Sequence, residues 1–311
     1  MQTAGIIGGS GFIGSWVTKL FLENNFKVKV SSTDITNQSK YEHLKKLNNA
    51  ANLEIAALDL LQPESIASFA AGCNIIVHGG TPFLLDVKDP KTELFDPTVK
   101  GTENFLEVIK NTTGIEKVVF IASVAAWNTS FPMNPSTYSG DHIFSENDTP
   151  YISENDHPYA QAKFFADQAV RKFIEQHKEL PFEIVSVSPV FVTGNSLSAR
   201  QDSTSMGLQY LFKNKIAPNP FVEMLFSADI PFALVDVRNV AESIFNAATK
   251  KGLHGKNYLI SSETYKVSDI TLMLNQQDPV GTPACIYDNA LAKTELGISF
   301  IPSKETLNNC N

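Results

Sequence analysis

Short apolar runs alternate with stretches in which apolar residues recur every three or four positions through the first two-thirds of the chain. Residues 4–7 predict a buried strand, after which Ile13, Val17, Leu20 and Phe21 fall on one face of a helix. Further strands are predicted at 26–31, 53–58, 74–78 and 117–122, with helices over 63–71 and 99–111 between them. A helix over about 159–177 then leads into a strand at 184–187. Strand and helix alternating in this way imply right-handed crossovers and a parallel sheet covered on both faces. Such sheets bind ligands outside the carboxyl ends of their strands, so the loops after the first, fourth, fifth and sixth strands should form a site.

Beyond Gly194 the rhythm breaks. Short helices are predicted at 205–212 and 237–250 and a strand near 258–261, among prolines at 218, 220 and 231. The expected division is 1–194 and a smaller lobe over 195–311, with segments near 230–262 returning to the first part. A local duplication sits in the long polar loop 128–158. The stretch Phe144-Ser145-Glu146-Asn147-Asp148-Thr149-Pro150-Tyr151 is followed directly by Ile152-Ser153-Glu154-Asn155-Asp156-His157-Pro158-Tyr159.

Composition narrows the function classes. The 311 residues carry a formal net charge of −8, which disfavours nucleic-acid binding. Cys73, Cys285 and Cys310 lie far apart, with no metal-ligand spacing and no disulfide framework, as suits a reducing compartment. The chain runs from Met1 almost directly into a strand, leaving no room for a signal peptide, and no apolar run approaches a membrane span of about 20 residues. A cytoplasmic location is the expectation, with no membrane or nucleic-acid partner and no metal.

Chemistry first shows in Gly8-Gly9-Ser10-Gly11-Phe12-Ile13-Gly14, which follows a strand and opens an amphipathic helix. That context turns a flexible glycine run into a dinucleotide-binding turn. Gly8 would permit the tight turn, Gly11 would let the backbone approach a pyrophosphate, and Gly14 would let helix and strand pack closely. The helix N-terminus would offer free N–H groups to the phosphates. Tyr159 and Lys163 stand one helical turn apart, on one face. An ammonium there would lower the phenol's pKa and make it a usable proton donor to a carbonyl oxygen, although an ordinary surface pair has the same spacing. In the duplicated copy, the position four residues after Tyr151 holds the uncharged Asn155, so the acid–base role goes to Tyr159. Ser123, at the end of the fifth strand, could donate to the same oxygen or merely satisfy a turn.

Gly-x-x-Gly-x-x-Gly, the strand-five Ser and Tyr-x-x-x-Lys, in that order, resemble the extended short-chain dehydrogenase/reductases. The resemblance extends to Asp59-Leu60, His78-Gly79-Gly80-Thr81-Pro82, Pro189-Val190-Phe191-Val192-Thr193-Gly194 and Val235-Asp236-Val237-Arg238-Asn239-Val240-Ala241. It implies a Rossmann-type doubly wound α/β sheet with a smaller, partly interleaved C-terminal substrate lobe. The His-x-x-Thr-Pro and Pro-Val-Phe-Val-Thr-Gly segments look most like the dihydroflavonol 4-reductase, cinnamoyl-CoA reductase and aldehyde reductase branch, which reduces ketones or aldehydes. Sugar-nucleotide epimerases usually follow the Ser with Val-Tyr-Gly, where this chain has Ala126-Trp127-Asn128. An epimerase or dehydratase that retains NAD, and a non-catalytic NAD(P)-binding regulator, are the competing readings.

By that resemblance Ser123, Tyr159 and Lys163 are the catalytic residues, Lys163 also meeting the nicotinamide ribose. Gly8, Ser10, Gly11, Phe12 and Ile13 would line the pyrophosphate, and Asp59 and Leu60 the adenine. Gly79, Gly80 and Thr81 would flank the cofactor, and Pro189, Val190 and Val192 the carboxamide. Pro82 and Asn128 are candidate substrate contacts. At the end of strand two the position of the NAD-selecting acid holds Ser32, followed by Thr33 where related NADP-using reductases often have Arg, while Lys40 matches a lysine that reaches a 2′-phosphate. NADP(H) is therefore favoured, with NAD(H) as the alternative. The expected partners are a small carbonyl substrate and, through two surface helices, a second copy of the chain.

Overall fold

The computed structural model describes residues 1–80, 88–135, 138, 140, 142–200 and 203–310. Elements run β1 (Thr3–Ile7), α1 (Phe12–Glu23), β2 (Lys27–Ser32), β3 (Leu53–Ala57), α2 (Pro63–Ala70), β4 (Ile75–His78), α3 (Gly101–Lys110), β5 (Lys117–Ile121) and α4 (Pro158–Gln176). They continue β6 (Glu183–Pro189), β7 (Phe191–Thr193), α5 (Thr204–Asn214), α6 (Pro220–Ser227), β8 (Pro231–Asp236), α7 (Val237–Thr249), β9 (Asn257–Ile260), β10 (Glu263–Lys266), α8 (Val267–Leu274) and α9 (Ser303–Asn308).

The main sheet has the order β3-β2-β1-β4-β5-β6-β9, and every neighbouring pair is parallel. The chain first winds outward from β1 through β2 to β3. It then returns to place β4 on the other side of β1, with Ile7 opposite His78. That reversal is the topological switch point, where the carboxyl ends of adjacent strands open a crevice.

Each face of the sheet is covered because its strands are apolar on both sides. On one face Val17 and Phe21 of α1 pack with Val240 and Ile244 of α7, the rings of Phe21 and Phe245 meeting edge to face at 5.0 Å. On the other, Ile66, Phe69, Phe105, Ile109, Val170 and Phe173 bring α2, α3 and α4 together. The residues after 194 therefore divide: α7 and β9 complete the layers of the main sheet. A second sheet, β10-β8-β7, carries its own core of Phe191, Phe212, Phe232, Leu234 and Ile270 with α5 and α8.

Two features differ from the pattern-based expectations. The helix expected over 99–111 is preceded by a wide-wound turn over Lys91–Lys100 that contains Pro97. Proline offers no N–H to the ordinary helical ladder, and the wider winding accommodates it. Strands β7, β8 and β10 carried no clear alternation, being short and paired only across long sequence separations. No helix among the described residues is long and apolar enough to cross a membrane.

Candidate active site

The glycine turn closes onto the switch point. Gly8 has φ 77°, a left-handed value that suits glycine, and its N–H donates to Ser31 Oγ at 3.0 Å. A Cβ on Gly14 would stand 2.1 Å from the Gly8 carbonyl oxygen, so α1 begins almost in backbone contact with the turn. Gly11 caps α1 with no side-chain hydrogen bond, which leaves the first N–H groups of the helix available to an anion. Ser10 lies between these glycines, and Phe12 and Ile13 open the helix while packing on the core. The loop after β4 presses on the same turn. Gly79 N–H donates to the Ile7 carbonyl at 3.0 Å, and a side chain at Gly80 would meet Leu60 Cδ1 at 3.0 Å. This cradle fits a dinucleotide pyrophosphate: narrow, lined by backbone, and facing a helix N-terminus.

At the carboxyl end of β5 the three expected catalytic side chains come together. Ser123 starts a tight helical turn over Val124–Ala126, its Oγ accepting from Ala125 N–H at 3.2 Å. Pro158 opens α4 and His157 caps it, its Nδ1 accepting from Tyr159 N–H at 3.1 Å. That start places the Tyr159 hydroxyl in hydrogen-bonding contact with Ser123. Lys163, one turn on, donates from Nζ to the Ile121 carbonyl at 3.0 Å and so ties α4 to the exit of β5.

The electrostatics correct one expectation. Burial raises the Tyr159 pKa well above the ordinary phenol value, and the Ser123 hydrogen bond offsets this only in part. The expected lowering by the Lys163 ammonium does not appear. Tyr159 is thus held as the neutral phenol, the form that can give up a proton. Burial lowers Lys163 to about 8, and the Asp167 carboxylate opposes that shift.

Asp167 and Arg171 were missed from the sequence, although Tyr159, Lys163, Asp167 and Arg171 form an unbroken four-residue spacing on α4. Asp167 accepts from Arg171 Nε at 2.6 Å and from Asn257 Nδ2 on β9 at 2.9 Å. The Arg171 guanidinium lies 4.5 Å above the Trp127 ring. His78 is also part of this support. Its ring sits between Phe105 and Phe120, and burial followed by the charge of Lys163 depresses its pKa to about 3, so it is neutral. A cavity of about 20 Å³ lined by His78, Lys163, Asp167 and Ser186 lies directly beneath the site, with room for about one water.

The remaining expected residues are placed as follows. Thr81 and Pro82 lie outside the described residues. Asp59 is exposed, its Oδ1 accepting from Leu61 N–H at 2.9 Å, and the Leu60 carbonyl accepts from Asn104 at 3.1 Å. Pro189 ends β6, and buried Val190 and Val192 follow it, Val190 N–H donating to Ile260. Ser32 is buried at the end of β2 and donates to the Asp34 carbonyl at 2.8 Å, while Lys40 Nζ reaches back to Thr33 Oγ1 at 3.3 Å. Asp34 is turned into its own loop, its Oδ1 accepting from Thr36 Oγ1 at 2.6 Å and Thr36 N–H at 2.9 Å.

Asn128 does not fit the expected substrate contact in this conformation. It is fully buried and donates to the Met133 carbonyl at 2.9 Å and the Tyr287 hydroxyl at 3.0 Å, while its Oδ1 accepts from Ser130 N–H. The amide organises the loop. The duplicated segments fold alike, each closing a turn from Asp148 N–H to Ser145 O or from Asp156 N–H to Ser153 O, both at 3.2 Å. They then diverge. Asp156 accepts from Thr129 Oγ1 and Ser130 Oγ and locks the second copy against the β5 exit, with Tyr159 at its end. Tyr151 instead pairs its backbone with Trp127. Among the described residues no group of His, Cys, Asp or Glu could hold a metal ion.

The chain is similar to known proteins. The profile of the NAD dependent epimerase/dehydratase family matches residues 4–261. The chain is 28% identical over 278 residues to cinnamoyl-CoA reductase CAD2 of Medicago truncatula, covering 88% of this chain and 80% of that one. It is 25% identical to the NADPH-dependent methylglyoxal reductase GRE2 of Saccharomyces cerevisiae, covering 97% and 95%. In structure it resembles Gre2 from Candida albicans, solved in complex with NADPH, with TM-score 0.82 at 24% identity over 100% of this chain and 97% of that one.

Proposed function

The chain belongs to the NAD dependent epimerase/dehydratase family and is an NAD(P)-dependent oxidoreductase, and we propose that it uses NADPH to reduce a ketone or aldehyde to the alcohol. The observation that carries this reading is the Ser123–Tyr159 hydrogen bond beside Lys163, at the carboxyl end of β5 and next to the switch-point cradle. Bound nicotinamide supplies the hydride. Ser123 and Tyr159 together hold the substrate oxygen, and Tyr159 passes its phenolic proton to that oxygen as negative charge builds there. A buried, neutral phenol is a poor acid toward water. It becomes a competent one only toward an alkoxide-like oxygen, which limits proton transfer to the reacting complex. Lys163, kept charged by Asp167, stands one helical turn from Tyr159 where it would meet the nicotinamide ribose.

Support for NADPH over NADH comes from the end of β2. Ser32 there is neutral, Asp34 is engaged by Thr36, and Lys40 leans back onto Thr33. A carboxylate placed to bind ribose hydroxyls would repel a 2′-phosphate, whereas a lysine favours it. The reductases of Medicago truncatula and Saccharomyces cerevisiae support carbonyl reduction as the reaction class.

The test is Tyr159→Phe assayed on a panel of aldehydes and ketones. Turnover should fall by about 10²–10⁴-fold while NADPH still binds. Undiminished turnover would refute the acid assignment. Wild-type protein that consumes no NADPH on any carbonyl would refute the function.

A further inference from the structure

Beside Lys163 lies a buried acceptor with no donor. His78 ends β4 with its ring packed against Phe105 and Phe120. Burial keeps this imidazole neutral, so one ring nitrogen carries a hydrogen and the other presents a lone pair. The hydrogen is taken up by the residue's own backbone. The nitrogen left over is Nε2, which is buried and has no hydrogen-bond partner among the described residues. An unpaired acceptor is costly in an interior, and folded proteins supply it with a protein donor or with a water.

His78 shares the cavity of about 20 Å³ with Lys163 and Asp167 of α4, Thr102 of α3 and Ser186 of β6. One water needs about 10–15 Å³ and two to four polar partners. The valences around the cavity suit it. Lys163 Nζ has three hydrogens and donates one to the Ile121 carbonyl at 3.0 Å, which leaves two. Asp167 accepts from Arg171 Nε through Oδ2 and from Asn257 Nδ2 through Oδ1, and each oxygen keeps a further lone pair. A water that accepts from the ammonium and donates to His78 Nε2 and to the Asp167 carboxylate uses both its hydrogens. Lys163 feels the charge of Asp167, and His78 that of Lys163, without a direct hydrogen bond between them among the described residues.

We propose that this cavity is a site for one buried water, which links His78 and Asp167 to the Lys163 ammonium and makes both of them positioning residues for that lysine. That Lys163 meets a bound cofactor rests on the reductase reading above, whereas the water site stands on the cavity and its polar groups alone. With the Ile121 carbonyl on one side and the water on the other, the ammonium is held in one place and solvated without reaching bulk solvent. Among the described residues the titratable or charged groups around it are Tyr159, Asp167 and Arg171 on α4 and His78 on β4. The other walls, from α3, β5 and β6, present neutral groups. Because His78 is itself neutral, its hold on Lys163 passes through the water and not through charge.

Two measurements on the full-length protein test this, and neither needs a substrate. A crystal structure fine enough to show ordered water should place one water within about 3.2 Å of both His78 Nε2 and Lys163 Nζ. A dry cavity there overturns the site. The Lys163 pKa is read by NMR titration of protein labelled with ¹³C at the lysine Cε, its signal identified by its loss in Lys163→Met. His78→Phe, or His78→Leu should the larger ring not fold, removes the acceptor and drives out the water. The Lys163 pKa should then fall by about one pH unit or more, the equivalent of one hydrogen bond to a charged group. His78→Gln offers an acceptor again and should restore most of that fall. An unchanged Lys163 pKa without the acceptor, or an equal fall in His78→Gln, overturns the positioning role. A wild type that consumes no NADPH on any carbonyl refutes the reductase reading and leaves both of these results to judge the water.

Discussion

Gly14 and Gly207 are both helical glycines, and the structure requires opposite outcomes when each is changed to alanine. In either helix a methyl group adds about 1 kcal/mol of intrinsic helix preference. At Gly207, in α5, a Cβ would meet nothing within 4 Å, so the preference acts alone and Gly207→Ala should be stabilised by about that amount. At Gly14 the Cβ would lie 2.1 Å from Gly8 O and 2.7 Å from Gly9 Cα. Both obstacles are backbone, so no side chain can swing aside. Helix α1 would have to retreat from the turn by about 1 Å to restore ordinary contact distances. Overpacking of this kind costs about 1–3 kcal/mol, and the rigid turn puts Gly14 at the upper end. The steric penalty therefore exceeds the helix gain by about 2 kcal/mol, a fall in Tm of about 4 °C, against a rise of about 2 °C for Gly207→Ala. The same retreat pulls the first N–H groups of α1 away from the pyrophosphate, so NADPH affinity should fall at least about tenfold in Gly14→Ala only. Thermal unfolding with and without NADPH, followed by titration of both variants, reads all of this. A Gly14→Ala protein as stable as wild type with intact NADPH binding would refute the close approach.

Two further outcomes follow from the site. Ser123→Ala should lower kcat by about 10²-fold with little change in NADPH affinity, because the lost donor acts on the oxygen as charge develops; an unchanged kcat would leave Ser123 as the cap of its turn alone. Lys163, held near 8 when folded against 10.5 when unfolded, binds fewer protons in the folded state than in the unfolded state between those values. Apo-protein stability should therefore gain up to about 3 kcal/mol from this group as pH rises through that window. Urea midpoints measured from pH 8 to 10 should show the rise in wild type, and Lys163→Met should remove it; identical slopes would mean that the ammonium is not desolvated.

What was legible in the sequence was local. The strand, the glycine turn and the helix from Thr3 to Glu23 are contiguous, and their meaning depends on spacing alone. Tyr159 and Lys163 share a helix face by periodicity, and the main strands announced themselves as apolar runs because both faces of a parallel sheet are covered. The distinction between the duplicated tyrosines was also readable, since only Tyr159 has a lysine one turn on.

Tertiary structure decided what depends on pairing across distance. Asp167 lies four residues from Lys163, yet its role comes from Asn257 on β9, ninety residues away. Asn128 is polar and sits in a polar loop, and only the fold shows that Met133 and Tyr287 already take up its amide. The direction of the Tyr159 shift could not be read from a charge one turn away, because burial, which the sequence does not show, is its largest cause. Arg200 carries no motif at all. The chain fixes its distance along the sequence from Lys40, but only the crossing of segment 195–200 over α1 brings it to the Lys40 carbonyl in the loop after β2. Sequence spacing specifies contacts within a turn or a helix, whereas burial and long-range pairing exist only once the layers have closed.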